Sequence, residues 1–314
     1  REFASYEGGY LLQIPNDFFH RWAASIAAWG SSAQKLLICS LPDEPSAKEI
    51  GLFGQQGWKV IYEVRDDWEQ FFSAGSSKWY DAETERAVCR RADFVTTVSI
   101  TLKDKMIRMG AHPDGTYVVP NGLTRDFLEN ARTSFMYRQS GYHGTGTIGY
   151  VGGLTEKWFN WDLLVTTASR RPDLKFEIIG FDAPDDLNLP GNVTVLGPKN
   201  HEQIIDIASN WSLGIIPFKN TKLAEGVDPI KIYEYLALGL PCVSCWMPQI
   251  ENYPLAFTYQ DDSRFEQVLD MALQYEPSEE EWDRVQAFLA GSTWDQRVRV
   301  TLSLAGIDIS HTRT

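Results

Sequence analysis

The sequence predicts an α/β protein with two Rossmann-like, doubly wound domains that face a cleft. Short apolar β-like segments alternate with helical patterns along nearly the whole chain, which is typical of parallel sheets. The alternation forms two successive series, separated by Pro120-Asn121-Gly122 and a polar, glycine-rich stretch before Thr147. A length of 314 residues is comfortable for two hydrophobic cores.

The first series predicts a short N-terminal domain over residues 1–122. Helical patterns fall around Phe18–Ala28 and Asp81–Arg91. The predicted strands are YLLQI (10–14), KLLICS (35–40), KVIYEV (59–64), FVTTVS (94–99) and TYVVP (116–120).

The second series predicts a domain over residues 123–290, followed by a C-terminal helix in 291–314. One possible position for this helix is against the N-terminal domain. The predicted strands are TIGYVG (147–152), KFEIIG (175–180), VTVLG (193–197), LGIIPF (213–218), PCVSC (241–245) and AFTY (256–259). The predicted helices are Trp161–Arg170, Glu202–Ser209, Ile230–Leu238, Phe265–Gln274, Glu279–Leu289 and Thr293–Leu304.

Composition narrows the class of protein. Hydrophobic residues make up 43% and charged residues 23% of the chain, as in globular proteins, and no apolar run is long enough for a membrane span. The net charge of −13 argues against a nucleic-acid partner. Basic residues cluster locally, either as a solvated helix face or as a patch for an anionic membrane surface or acceptor: Arg86, Arg90, Arg91, Lys103, Lys105 and Arg108.

The cysteine content indicates the cellular compartment, and the start of the chain indicates whether it is part of a longer polypeptide. Four cysteines do not suggest a disulfide framework. Cys242 and Cys245 form a C-x-x-C motif, but a redox pair normally opens a helix, and these residues fall in a predicted strand. We therefore expect a cytoplasmic protein, with peripheral contact to the inner face of the membrane as one alternative. The chain starts at Arg1 without an initiator Met or a signal-peptide pattern, which suggests a piece of a longer polypeptide.

One glycine motif points away from its usual meaning. The segment GTGTIG, Gly144–Gly149, matches G-x-G-x-x-G. In a dinucleotide-binding unit that motif follows a strand and opens a helix, whereas here it precedes a predicted strand. We therefore discount a nicotinamide-dependent dehydrogenase.

A second glycine segment has the required order of strand, glycines, polar loop and helix. It is YVGGLTEKWFNWDLL, which starts at Tyr150. Gly152 and Gly153 would let backbone N–H groups approach a ligand closely, and Lys157 could offer a cation to a diphosphate. The alternative is a tight turn with a surface lysine.

A third segment, DPIKIYEYLALGLPCVS from Asp228, predicts a helix that starts with a cation. Pro229 suits the first turn of a helix, and the amides around Ile230 would be free to bind an anion that Lys231 also attracts. Glu234 follows about one turn later and could accept two hydroxyl hydrogen bonds from a ribose. The alternative is a surface ion pair between Lys231 and Glu234.

These segments together resemble the retaining glycosyltransferases of the GT-B fold, in the group often called family 4. The resemblance covers nearly the whole chain and is strongest from Thr147 to Pro248. Matching segments in the first half are VIYEVRDDWEQF, ADFVTTVSITL and VVPNGL; those in the second half are IGYVGGLTEKWFNWDLL, RPDLKFEIIG, NVTVLG, LGIIPF and DPIKIYEYLALGLPCVS.

The resemblance implies a nucleotide-diphosphate sugar as donor substrate, no separate cofactor and no metal, because lysines and helix dipoles neutralise the leaving diphosphate. It places Gly152, Gly153 and Lys157 in the diphosphate loop, Lys231 beside the phosphates and Glu234 on the ribose. The loop Gly226–Pro229 would meet the transferred sugar. The full predicted donor-binding set is Gly152, Gly153, Asp228, Pro229, Ile230, Tyr233 and Glu234, and the predicted catalytic residues are Lys157, Lys231 and Asp66.

The sequence departs from the family pattern in two places. Gly226 occupies the position of the first glutamate of the usual pair, and the usual arginine near Leu154 is absent. Asp66 and Asp67 follow a predicted strand and could bind hydroxyls of a glycan, lipid-linked or small-molecule acceptor, or could simply start a helix. Two other functions stay open: an inactive glycan-binding or scaffold domain of a larger protein, and a nucleotide-sugar epimerase.

Overall fold

The structure, a computed structural model, describes residues 3–6, 9–12, 23–28 and 35–307. The chain divides into two compact units. The N-terminal unit comprises the described residues of Arg1–Thr97, Lys103–Tyr117 and Leu302–Thr314, and the C-terminal unit comprises Val98–Leu102 and Val118–Thr301.

The N-terminal unit is built on a four-stranded sheet and a separate two-stranded antiparallel sheet, β1 (Phe3–Tyr6) with β2 (Gly9–Leu12). The four-stranded sheet has the order β3 (Leu36–Cys39), β4 (Lys59–Val64), β5 (Phe94–Thr97), β6 (Thr116–Val118), and β4 is parallel to both of its neighbours. The helices are α1 (Glu44–Gln55), α2 (Trp68–Ser73), α3 (Ala82–Arg91) and α4 (Ile100–Met109), whose first residues belong to the C-terminal unit; a 3-10 turn spans Pro113–Gly115.

The C-terminal unit has six parallel strands: β7 (Thr147–Gly153), β8 (Lys175–Phe181), β9 (Val193–Gly197), β10 (Trp211–Ile216), β11 (Cys242–Cys245) and β12 (Ala256–Tyr259). Its helices are α5 (Arg125–Gln139), α6 (Trp161–Arg170), α7 (His201–Ala208), α8 (Lys222–Glu225), α9 (Ile230–Ala237), α10 (Phe265–Leu273), α11 (Glu279–Ala290) and α12 (Trp294–Leu304), which ends in the N-terminal unit; a 3-10 turn spans Asp262–Arg264.

The strand order in this sheet is β9-β8-β7-β10-β11-β12. In chain order this is 3-2-1-4-5-6, the arrangement of a dinucleotide-binding Rossmann sheet. The direction of winding reverses between β7 and β10. Ligands of such sheets bind outside the carboxyl ends of the strands at this switch point.

Local capping explains where most helices begin. Asp43, Asp81, Thr124 and Asn160 each accept a hydrogen bond from a backbone N–H in the first turn of the helix that follows. Asn200 and Ser278 form full capping boxes. Helix α9 differs, because its N-cap residue is a proline without a side-chain acceptor.

Two aromatic rings fill gaps left by glycines in the central strands. Gly149 and Gly214 are paired neighbours on β7 and β10. A Cβ on Gly149 would overlap the Trp211 ring, and one on Gly214 would overlap the Tyr235 ring. Trp211 is fully buried, and its Nε1 donates to Glu177 at 2.7 Å. The core around the switch point thus depends on glycine in two places.

Most predicted elements are confirmed with shifts of one or two residues at their ends; β4, β9, β12 and α6 match their predicted bounds. Gly144 and Gly146 do precede β7. Of the predicted helix Phe18–Ala28, residues 18–22 lie outside the described residues, as do the last two residues of YLLQI. The 15-residue helix α5 was not predicted and lies where we expected only an interdomain break.

None of the helices in the described part of the chain combines the length and apolar character that a membrane span needs. The described residues also contain no group of three or more His, Cys, Asp or Glu side chains placed to hold a metal ion. All four cysteines are buried and unbridged.

Candidate functional site

Two loops meet at the carboxyl ends of β7 and β10, on either side of the switch point. The loop after β7 leads to α6, and the loop after β10 leads through α8 to α9. Backbone hydrogen bonds join them: Lys219 N donates to Trp158 O at 2.7 Å, and Asn160 N donates to Pro217 O at 2.8 Å. The two loops therefore form one continuous edge in the C-terminal unit.

The first loop follows the glycine pair. Tyr150 Oη donates to Gly153 O at 2.9 Å, and Trp158 Nε1 donates to the same carbonyl at 3.3 Å. Lys157 is exposed on this loop, and its amide donates to Thr155 Oγ1 at 3.4 Å. These two hydrogen bonds hold the carbonyl of Gly153 in place.

Lys231, on α9, lies directly over Gly152. A Cβ at position 152 would be only 2.7 Å from Lys231 Nζ, and Gly152 has a φ of +142°. The ammonium lies 5.6 Å from the centre of the Tyr150 ring and 5.4 Å from that of the Phe218 ring, which is within range for cation–π attraction. Burial lowers the pKa of Lys231.

The ammonium of Lys231 has no anionic partner in the described part of the chain. Lys231 and Glu234 are three residues apart on α9, but they do not form the ion pair that this spacing allows. Glu234 is half-buried, and its burial raises the pKa, while Lys231 and His201 act to lower it. Both charges are therefore available to a ligand.

The start of α9 adds two donors. Pro229 is the N-cap and provides no side-chain acceptor. The amides of Ile230 and Lys231 make no hydrogen bond to a described residue, whereas Ile232 N donates to Pro229 O at 3.1 Å. Free amides and the helix dipole favour an anion at such a helix start. The side chain of Ile230 is 42% exposed.

Two of the nominated residues hold the loop rather than project from it. Asp228 is buried and accepts from Asn121 N at 2.6 Å, Tyr233 Oη at 2.8 Å and Tyr253 Oη at 3.1 Å. Tyr233 is fully buried and stacks on Phe288. Burial raises the pKa of Asp228 to about 6, with the three hydrogen bonds acting against it.

The structure adds residues that the sequence reasoning missed. Tyr150 and Phe218 flank the ammonium of Lys231, although nothing in their spacing set them apart from core aromatics. Ser99 Oγ donates to Gly226 O at 2.8 Å and so reaches the loop before α9. Asn121, nominated only as a domain break, anchors Asp228 through both its backbone and its side chain.

The comparisons with known proteins come mainly from structure. No protein-family model matches the chain. The chain is 26% identical over 217 residues to TuaH of Bacillus subtilis (strain 168), a protein assigned to teichuronic acid biosynthesis as a glycosyltransferase. That alignment covers 64% of this chain and 54% of TuaH, so the chain spans about half the length of this relative.

Several solved structures align with nearly the whole chain. Sucrose-phosphate synthase of Thermosynechococcus elongatus is 16% identical with a TM-score of 0.65, over 93% of this chain and 79% of that protein. HepE of Anabaena, solved with UDP, is 13% identical with a TM-score of 0.66, over 91% and 82%. WaaG, a glycosyltransferase involved in lipopolysaccharide biosynthesis, is 14% identical with a TM-score of 0.58, over 93% and 83%.

The chain has the GT-B fold. The resemblance drawn from the sequence is confirmed at this level, with a parallel-sheet α/β architecture in each unit. Assignment to family 4 and retention of configuration stay predictions. Within this GT-B chain, every nominated site residue except Asp66 belongs to the C-terminal unit.

Asp66 lies just after β4 in the N-terminal unit of the GT-B chain. Its neighbour Asp67 caps α2 through a hydrogen bond from Gln70 N at 3.0 Å and pairs with Lys105 Nζ at 2.5 Å. Asp66 makes no hydrogen bond to a described residue, and burial raises its pKa to about 6. Of the two aspartates, Asp67 caps α2, whereas the carboxylate of Asp66 is available to bind a ligand.

Proposed function

We propose that this chain is a glycosyltransferase that binds a nucleotide-diphosphate sugar at the switch point of its C-terminal unit. It transfers the sugar, with retention of configuration, to a glycan, lipid-linked or small-molecule acceptor. The observation that carries the proposal is the ammonium of Lys231, which has no anionic partner among the described residues and adjoins the free amides at the start of α9.

The known proteins support this proposal. HepE has been solved with UDP-glucose as well as with UDP, and TuaH is assigned as a glycosyltransferase. A nucleotide sugar carries the diphosphate, ribose and hexose for which the residues of this site are suited. The donor substrate therefore needs no separate cofactor in this proposal.

Each part of the donor has a proposed partner. The diphosphate binds Lys231, the amides of Ile230 and Lys231, and the exposed Lys157 on the facing loop. Gly152 gives the ammonium its place beside the backbone, because any side chain there would displace it. Glu234 accepts the ribose hydroxyls, and the loop Gly226–Pro229 adjoins the transferred sugar.

The chemistry is electrostatic stabilisation of the leaving group. Negative charge grows on the diphosphate oxygen as the bond to the anomeric carbon breaks, and fixed donors that already point at this oxygen lower the barrier. Lys231 supplies such a charge in a partly desolvated setting, where its effect is stronger than in water. In the N-terminal unit, Asp66 is proposed to bind an acceptor hydroxyl.

The first test is nucleotide binding with Lys231→Gln, which keeps length and polarity but removes charge. UDP, GDP and dTDP are titrated in a thermal-shift assay, and the preferred one is then compared with its nucleoside. We expect the variant to melt near wild type without ligand, to lose most of the stabilisation by diphosphate and to bind the nucleoside normally. The activation barrier for transfer should rise by roughly 3 to 4 kcal/mol, which is typical of the loss of one such donor.

The outcomes separate the alternatives. Early melting with normal diphosphate binding would make Lys231 a structural residue and move the site elsewhere. Binding of the diphosphate without any transfer or donor hydrolysis would favour an inactive binding domain. A sugar epimer formed without acceptor would identify an epimerase.

A further inference from the structure

A cavity of about 200 Å³ lies in the C-terminal unit at the opposite edge of the sheet from the candidate donor site. Its walls include His143 before β7, Ser212 near the start of β10 and Pro241 before β11. These positions are at the amino ends of the strands, whereas Lys231 and Gly152 lie at the carboxyl ends. The donor site therefore does not account for this cavity.

Arg138, in the last turn of α5, lines the cavity although it is only 4% exposed. Its Nη2 donates to the carbonyl oxygens of Ala208, at 3.5 Å, of Ser209, at 3.0 Å, and of Trp211. Its Nε is buried without a hydrogen-bond partner, and Nη1 makes no hydrogen bond to a described residue. No described carboxylate forms an ion pair with this guanidinium.

The carbonyls beyond the C-terminus of α7 offset part of this buried charge, but they reach only one of its three nitrogens. A guanidinium has five N–H donors in a fixed plane, so three of them remain unused. Burial lowers the pKa of Arg138 to about 10, which keeps the side chain cationic at neutral pH. The Tyr142 ring lies 5.5 Å from its Cζ and forms an aromatic wall.

We propose that this cavity is a second ligand site, in which Arg138 binds a small oxyanion such as the phosphate or carboxylate group of a small molecule. A dry cavity of about 150 Å³ takes up benzene, so this cavity of about 200 Å³ has room for a small oxyanion. Aromatic and hydroxyl groups of Tyr142, Trp282 and Ser212 would surround the rest of the ligand.

Glu276 gives the proposal a sharp test, because it lines the same cavity, is exposed and carries the charge that opposes an anion. Glu276→Gln should tighten phosphate binding roughly two- to fivefold, the size expected for one exposed nearby charge. Glu280→Gln is the matched control, because Glu280 is also exposed, lies four residues away and does not line the cavity. It should leave the affinity unchanged.

Binding is measured by NMR on the full chain with ¹⁵N-labelled arginine, following the Nε–H signal of Arg138 during titration with inorganic phosphate and, separately, acetate. Both titrations use the Lys231→Gln background, so that anions at the donor site do not contribute. Arg138→Gln assigns the signal. If that variant does not fold, all arginine Nε–H signals are followed, and the signal whose anion affinity rises with Glu276→Gln but not with Glu280→Gln identifies the site.

A shift of the Arg138 signal with either anion, tightened by Glu276→Gln alone, is the expected result, and the responding anion identifies the chemistry. An unchanged signal with both anions would overturn the proposal. So would equal affinities in the two glutamate variants. Neither result depends on whether the chain transfers a sugar.

Discussion

At the scale of single residues, the position of Lys231 depends on the absence of a side chain at Gly152. The lysine can lie against the backbone of β7 only because position 152 has no side chain, and its ammonium then lies between the rings of Tyr150 and Phe218. Aromatic faces attract a cation without neutralising it. The charge is thus held in place and remains available to an anionic ligand.

Gly152→Ala should therefore damage binding as well as stability. The new Cβ would displace the lysine, and a φ of +142° is strained for alanine, which costs about 1–3 kcal/mol. We expect lower stability in denaturant titrations and loss of most nucleoside-diphosphate affinity in calorimetry.

Gly197→Ala is the control for the backbone alone. Gly197 also has a positive φ, of +68°, but nothing lies within 4 Å of a Cβ there. This variant should lose stability and keep its diphosphate affinity. Normal affinity in Gly152→Ala as well would show that the position of Lys231 does not matter for the ligand.

The residues of this site could be predicted from the sequence, but most of their contacts could not. Glycine, lysine and glutamate at their positions indicated an anion-binding loop, because backbone approach, charge and helix dipole can all be inferred from sequence order. The sequence did not predict that Gly152 makes room for Lys231, or that Asp228 and Tyr233 face inward. Those facts depend on packing between elements that are distant in sequence.

At the scale of elements, the loop before α9 is held by a buried carboxylate instead of a helix cap. Asp228 collects hydrogen bonds from Asn121, Tyr233 and Tyr253, and Arg297 Nε donates to Asn121 O at 3.0 Å. The free amides at the start of α9 are thus positioned by contacts of Asp228, two residues before Ile230. A side-chain cap on the helix itself would have occupied them.

This arrangement makes stability depend on pH. Burial raises the folded-state pKa of Asp228 from 3.8 to about 6. Between these values the folded state binds a proton that the unfolded state has lost, so this group's contribution to stability falls as pH rises from about 4 to 6 and then levels off. The difference corresponds to about 3 kcal/mol.

Asp228→Asn should remove the contribution of this carboxyl to the loss of stability between pH 4 and 6. The measurement is the free energy of unfolding as a function of pH. Asp66 has a similarly raised pKa, so we expect a reduced slope, not a flat line. Asp186→Asn, at an exposed position, should keep the wild-type slope. A wild-type slope in Asp228→Asn would mean that Asp228 stays ionised through this range.

Helix α5 was missed for a physical reason. Its apolar residues Phe127, Ala131 and Phe135 recur at helical spacing after the N-cap Thr124, but the glycines and polar residues that follow led us to expect a linker. This helix packs beside α9 and carries Arg138.

At the scale of the whole molecule, the two successive α/β series were predictable because strand and helix periodicities differ so clearly. The alternation also indicated parallel sheets, and each unit has one. The strand order, and with it the switch point between β7 and β10, is a property of the assembled sheet. Only the resemblance to known glycosyltransferases could suggest it beforehand.

The whole-molecule prediction is independence from divalent metal. Positive charge for the leaving diphosphate comes from lysines and helix amides in our proposal, so transfer should continue at an unchanged rate after EDTA treatment. The rate is measured with the preferred donor, before and after adding back Mg²⁺ or Mn²⁺. A strict need for either ion would contradict the proposed mechanism.

The ring of Trp211 occupies the space that a side chain on Gly149 would need, and Tyr235 does the same for Gly214. This fixes an order for evolutionary change. A lineage cannot gain a side chain at position 149 while the indole is in place, because the intermediate protein would contain two groups in one volume. Trp211 must first be replaced by a smaller residue. That substitution is permissive, and Gly149 can change only after it.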